Sequence, residues 1–147
     1  TLVDFFATIS DITGEKAAGV AEDSVSFLPA LFDQAIVSSR KGIIHHSISG
    51  HFAYRQGKWK LLLAKGSGGW SSPKESEVGA KAAPAQLYNM EKDPSEQNNL
   101  YFSRPDVAER LLADLTLDVQ RGRSTDGTEA KNDVLNIKLW KSQRGRK

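Results

Sequence analysis

The chain contains no cysteine, which excludes disulfide frameworks, cysteine-based zinc clusters and a cysteine nucleophile. No apolar run reaches the ~18 residues that a membrane-spanning helix requires. No basic-then-apolar leader of the secretory type is visible. An excess of one charge is also missing. Twenty Lys and Arg stand against 18 Asp and Glu, a formal charge of +2, too small to make nucleic acid the expected partner. There is no Gly-Lys-Ser/Thr ending of a phosphate-binding loop, no Gly-x-Ser-x-Gly nucleophile elbow and no internal repeat. Oligomeric state is not legible.

What is present fits one domain of ordinary size: 147 residues, 39% hydrophobic and 26% charged, a balance that argues against wholesale disorder. Thr1 opens directly into an apolar pattern, so the chain reads as a piece of a longer protein. The basic residues Lys141, Arg144, Arg146 and Lys147 crowd the end and read as a solvated tail.

Apolar spacing at Leu2, Phe5, Phe6, Ile9 and Ile12 predicts a helix, with Gly14 as its stop. Its apolar stripe needs a surface to cover it. A short helical turn is expected near residues 27–32, with Pro29 in its first turn. Residues 42–49 are β-branched and read as a strand. Residues 51–55 and 58–64 read as a hairpin turning at Gln56-Gly57, and the run Leu61-Leu62-Leu63 suggests a strand covered on both faces. Residues 65–84 form a long Gly/Ser/Pro/Ala-rich loop, a length that goes with function or mobility. A strand at 86–90 and a turn at Asp93-Pro94 follow. The clearest helix covers residues 104–120, with Ser103 as its expected cap, a stripe of Val107, Leu111, Leu115 and Val119, and Gly122 as its end. Val134, Leu135, Ile137, Leu139 and Trp140 predict an added edge strand.

Two groups are candidates for chemistry. His45 and His46 are adjacent on a strand, so their side chains point to opposite faces and cannot share one metal ion. One faces a site or solvent and the other packs, and such a pair is more often structural than catalytic. His51 lies close enough in sequence to meet either, although the spacing is not specific for a three-histidine site. The second group is Lys65-Gly66-Ser67-Gly68-Gly69-Trp70. Its backbone amides with Lys65 can hold an anion, and Trp70 can stack on a sugar or aromatic ring. The plainer reading is a flexible loop with one aromatic anchor. Asp114 and Asp118, one helical turn apart, fit a solvated helix face better than acid–base catalysis.

Several segments, in order, resemble the C-terminal part of the formylglycine-dependent sulfatase (arylsulfatase) family. GHFAYRQGKWKLLL (residues 50–63) resembles its FA-x-R-x-GKWKL hairpin, and QLYNMEKDPSEQNNL (residues 86–100) resembles LYNL-x-x-DP-x-E-x-x-NL. RPDVAERL (residues 104–111) is similar to the helix that comes next. TLVDFFATISDITG resembles D-x-x-PT-x-x-x-x-AG, and Asp23, Ser26, Leu28, Pro29 and Leu31 resemble DG-x-S-x-x-PxL, with Ser24 where Gly is usual. GRSTDG (residues 122–127) resembles GRSTPG, with Asp126 in place of Pro.

The resemblance implies an α+β fold: a small antiparallel sheet of about four strands with a long C-terminal helix packed on it, preceded by a helix left over from a larger α/β catalytic domain. It implies that residues 1–40 end that domain and that 41–147 form the C-terminal subdomain. It further implies sulfuric ester hydrolysis by the parent, at a formylglycine nucleophile beside calcium. The [CS]-x-[PA]-x-R motif for the nucleophile and the calcium-binding segment are not found here, so no catalytic or metal residue is expected in this piece and no activity from it alone. The residues expected to reach substrate are His45, His46, Ser47, Lys65, Ser67 and Trp70. The expected ligand is a sulfated small molecule or glycan, and the expected location of the parent is periplasmic or secreted. The other class of function is a non-catalytic module for sulfated or acidic glycans, using Trp59, Trp70 and the basic tail.

Overall fold

The structure is a computed structural model that describes residues 1–15, 19–37 and 40–141. The chain divides into two compact units: Thr1–Lys41 with Asp118–Asp133, and Gly42–Leu117 with Val134–Lys147. Arg144, Arg146 and Lys147 of the basic tail lie outside the described residues.

In the first unit a 3-10 turn, Leu2–Asp4, leads into helix α1, Phe5–Thr13. Gly14 stops α1 in the left-handed conformation (φ +76°), which glycine adopts without a Cβ clash. Its apolar side chains, Phe5, Phe6, Ile9 and Ile12, remain exposed. Its buried side is polar and fully bonded. The Thr8 hydroxyl donates to the Asp4 carbonyl (2.7 Å) and accepts from the Phe27 N–H (3.0 Å). The Ser24 hydroxyl accepts from the Ala7 N–H (2.9 Å), one of the first-turn amides that a helix leaves without a partner. That bond gives a use for serine where the resembling pattern has glycine. A 3-10 turn at Leu28–Phe32 carries Pro29 near its start. Asp23 receives the Ser124 N–H and hydroxyl, both at 2.7 Å, and so ties the GRSTDG segment into this unit.

The second unit is built on an antiparallel meander of β1 (Ile43–His46), β2 (Phe52–Gln56), β3 (Trp59–Leu62) and β4 (Gln86–Asn89), in that spatial order. A two-residue turn at Gly57-Lys58, with Gly57 at φ +54°, fixes Gln56 opposite Trp59. One face of the sheet carries the row Tyr54, Leu61 and Leu87, all fully buried. Helix α2, Pro105–Arg121, supplies Val107, Ala108, Leu111 and Leu115 to the same core, each side chain of that size contributing roughly 1.5–3 kcal/mol when fully buried. Gln56 Nε2 donates to Asp114 across the helix–sheet seam (3.1 Å). Gly122 ends α2 at φ +66°.

The expected α+β architecture is observed: a four-stranded antiparallel sheet, a long C-terminal helix and an N-terminal helix. Four details differ. The hairpin turns at Gly57-Lys58 and not at the expected Gln56-Gly57, because Gln56 still belongs to β2 and pairs with Trp59. Leu62 is only half-buried, because it faces the open side of the sheet. Ser103 does not cap α2: the helix begins at Pro105, so Arg104 holds the cap position, and the Ser103 hydroxyl donates back to the Leu100 carbonyl (3.2 Å). Residues 134–140 form no strand. Val134 and Leu135 are exposed, and the chain just before them is held by Asn132, whose amide donates to the Val119 carbonyl at the end of α2 (2.7 Å).

Candidate functional site

The hairpin turn sets the chemistry of the second sheet face. With Gln56 opposite Trp59, Arg55 pairs with Lys60 and Ala53 with Leu62. β4 then places Tyr88 beside Lys60 and Gln86 beside Leu62, and β1 places His45 beside Ala53. Side chains alternate along a strand, so these residues share one face. They floor a cleft of about 880 Å³. The 66–73 loop walls one side, through Gly66, Ser67, Ser71, Ser72 and Pro73; the turn after β4 walls another, through Pro94, Ser95 and Glu96.

The floor is polar and ordered. Lys60 Nζ donates to Glu96 Oε1 at 2.5 Å, both side chains being about three-quarters buried. Glu96 sits at φ +57°, a conformation rare for a residue with a side chain. The Tyr88 hydroxyl donates to Gln86 Oε1 (2.6 Å), and Gln86 Nε2 donates to the Ala64 and Gly66 carbonyls (2.9 and 2.6 Å). Burial, then the nearby negative charges of Glu96 and Asp93, push the Tyr88 phenol up from its ordinary value, so it stays a protonated donor at neutral pH. Arg55 Nε donates to the Gly57 carbonyl (2.8 Å), which steadies the guanidinium at the cleft.

Of the six residues singled out from the sequence, the structure brings four to the border of this cleft: His45, His46, Ser47 and Ser67. The strand alternation holds for the histidines. His45 is registered with Ala53 on the cleft face, whereas the His46 ring stands edge-on to Phe52 (centroids 4.0 Å apart, 89°). Burial, with the Lys141 charge second, lowers the His46 pKa from its ordinary value and favours the neutral ring. Ser47 holds the 47–51 turn, accepting the His51 N–H on its hydroxyl (3.0 Å). His51 is a core histidine. It is buried, and its Nδ1 lies 3.1 Å from the Leu63 carbonyl, which assigns the ring proton to Nδ1.

Lys65 and Trp70 are not among the cleft's lining residues. Trp70 is 81% exposed at the loop tip. The backbone amides that could hold an external anion on this loop already bond to a carboxylate. Glu75 Oε2 accepts the Lys65 N–H (3.0 Å), and Oε1 accepts those of Gly66 (3.0 Å) and Gly68 (3.1 Å). Trp59 is likewise occupied, with the Arg104 guanidinium 5.4 Å and Lys58 Nζ 5.9 Å from its ring centroid.

Sequence reasoning missed Arg55, Lys60, Gln86, Tyr88, Glu96 and Glu75. The first two were findable, since a two-residue turn at Gly57 places them opposite each other. Nothing in the sequence signals that Glu75 folds back ten residues onto Lys65. Among the described residues no three of His, Cys, Asp or Glu gather as a metal ion requires. No helix among the described residues is long and apolar enough to cross a membrane.

No family model matches the chain. A curated relative, the N-acetylgalactosamine-6-O-sulfatase of Bacteroides thetaiotaomicron, is 27% identical over 110 residues, which make up 74% of this chain and 21% of that protein. Among solved structures, one designated 6S-sulf, from work on the metabolism of multiple glycosaminoglycans by Bacteroides thetaiotaomicron, superposes with a TM-score of 0.58 at 24% identity over 80% of this chain and 24% of its own. A 2-O GAG sulfatase superposes with a TM-score of 0.51 at 20% identity over 84% of this chain and 26% of its own. The chain thus spans about a fifth of the curated relative and about a quarter of each solved one.

Proposed function

We propose, from a chain similar in sequence and fold to the C-terminal region of sulfatases, that it forms this part of an enzyme hydrolysing sulfate esters of carbohydrates or aryl alcohols. The observation that carries the proposal is that one likeness runs through most of the chain and includes the hairpin and strand that floor the cleft. The nucleophile, with the calcium beside it, comes from the remainder of that enzyme, and this chain alone releases no sulfate. A periplasmic or secreted location is part of the same reading.

This chain's residues bind and orient. A sulfate monoester keeps a negative charge throughout, and Arg55 sets positive charge on the cleft floor beside the neutralised Lys60–Glu96 pair. The Tyr88 and Ser67 oxygens, whose protons go to Gln86 and Ser71, can accept from sugar hydroxyls, with His45 beside them. Trp70 offers an exposed ring to the apolar face of a hexose. In the curated relative the named substrate group is the 6-O-sulfate of N-acetylgalactosamine, so that sugar is the first to try. With it as substrate of the full-length protein, Arg55→Met is expected to raise KM at least fivefold while kcat holds within twofold. An unchanged KM in a folded variant would remove the cleft from substrate binding.

The exposure of Trp70 also suits a second reading, a non-catalytic module for sulfated or acidic glycans. Retention of the full-length protein on heparin at moderate salt, with no sulfate released from any ester offered, would favour it over the first.

A further inference from the structure

Glu75 is the most heavily used carboxylate in the 65–77 loop, and the loop's shape follows from it. Its two oxygens collect the N–H groups of Lys65, Gly66 and Gly68 at 3.0–3.1 Å. Three convergent backbone amides form the kind of concavity that binds free anions, and hydrogen bonds to a full charge are the stronger kind. The concavity is closed around the carboxylate. A Cβ added at Gly66 would lie 2.6 Å from the Pro73 carbonyl oxygen and 2.8 Å from Lys74 C, both backbone atoms, so only glycine fits there. From this anchor the remaining bonds run outward. The Ser67 N–H donates to the Pro73 carbonyl (2.8 Å), the Ser67 hydroxyl to the Ser71 carbonyl (2.6 Å), and Lys74 Nζ to the Gly69 and Trp70 carbonyls. The residues held this way include Gly66, Ser67, Ser71 and Pro73, which are the loop wall of the cleft, and Trp70 stands exposed between Ser67 and Ser71.

We propose that Glu75 is a positioning residue for substrate: its carboxylate serves as an internal ligand of the loop's amide concavity, and so sets the cleft wall to receive a sulfated hexose ring. The proposal rests on the reading of the cleft as a substrate site and adds that the loop's affinity for an anion is spent on the chain's own carboxylate. The sulfate of the substrate is therefore recognised elsewhere, and this loop recognises the ring.

The test uses the full-length protein with Glu75→Ala and Glu75→Gln, and 6-O-sulfated N-acetylgalactosamine as probe, its Kd measured by calorimetry and its sulfate release followed in parallel. Glu75→Gln keeps the size but offers a single acceptor oxygen for three amides, which separates loss of charge from loss of folding. The expected result is a Kd at least tenfold weaker in both variants and faster hydrogen exchange at the amides of residues 65, 66 and 68. Sodium acetate at tens of millimolar should restore affinity to Glu75→Ala, whose concavity is vacant, and not to Glu75→Gln, whose concavity is filled. Affinity within twofold of wild type, despite faster exchange at those amides, overturns the positioning role. Unchanged exchange overturns the internal-ligand assignment. A wild-type protein that binds the sugar and releases no sulfate overturns the sulfatase reading alone, and the comparison of affinities still decides the part played by Glu75.

Discussion

Arg40→Met removes one half of a buried ion pair and leaves the Asp4 carboxylate without its guanidinium, the Val25 N–H still donating to it. Arg40 Nη1 and Nη2 donate to the two oxygens of Asp4 at 2.7 and 2.9 Å, a side-by-side pair, and Nη1 also donates to the Asp23 carbonyl at 2.6 Å. The side chains are 9% and 7% exposed, so solvent screens them little. Hydrogen bonds to charged groups are worth about 1.5–3 kcal/mol each. Two of them match the roughly 3–5 kcal/mol lost when one partner of a buried pair is removed. Burial alone would raise the Asp4 carboxyl; hydrogen bonds from Arg40 and the Val25 N–H, together with the Arg40 charge, oppose it and hold the carboxyl well below the usual carboxylate range. A folded-state pKa below the unfolded one gives stability that is fully present above about pH 3.9 and lost as pH falls from there. The assay is urea unfolding of this chain, followed by circular dichroism from pH 7 to pH 3. Arg40→Met should lose roughly 3–5 kcal/mol at pH 7. Asp4→Asn should flatten the acid side of the stability curve. Removing both partners, as Asp4→Leu with Arg40→Met, should cost less than Arg40→Met alone, because no charge is left buried. A loss under about 1 kcal/mol in Arg40→Met, the range of exposed pairs, would refute the reasoning.

Three further outcomes follow from the same geometry. Gly42→Ala would put a Cβ 2.4 Å from Cζ of the fully buried Tyr54 ring and should destabilise the chain by about 1–3 kcal/mol; an unshifted melting curve would show that this contact is not as tight as described. Leu87→Ala empties a fully buried position in the Tyr54–Leu61–Leu87 row and should cost about 2–5 kcal/mol in urea unfolding; less than 1 would place Leu87 outside the core. The His46 ring, titrated by NMR, should show a midpoint below the ordinary histidine value of about 6.5. Any stability that depends on the neutral ring is then present above that value and lost as pH falls below it, and a midpoint above it would contradict the environment given by Phe52 and Lys141.

Much of this architecture was legible because local signals agreed with tertiary demands. Gly14 and Gly122 end their helices with positive φ, as their placement after apolar stripes foretold. Strand alternation registers His45 with Ala53 and His46 with Phe52, yet both histidines border the cleft. Failures came where the decisive partner is distant in sequence or a competing bond exists. Ser103 had the spacing of a cap, yet the Leu100 carbonyl takes its proton. Residues 134–140 have a strand-like composition but no strand, the segment before them being tied to the end of α2. In the 65–70 loop the amides of Lys65, Gly66 and Gly68 bond to Glu75, and periodicity carries no trace of a carboxylate returning from ten residues away. The cleft floor needed only the register of a single turn: once Gln56 faces Trp59, the positions of Arg55, Lys60 and Tyr88 follow.

Sulfate release measured by ion chromatography, with 6-O-sulfated N-acetylgalactosamine and an aryl sulfate each offered separately to the full-length protein and to this 147-residue chain, tests the account most directly. The account predicts stoichiometric sulfate from the full-length protein on at least one of the esters and none from the chain alone. Turnover by the isolated chain, or no release from either ester by a folded full-length protein, would contradict it.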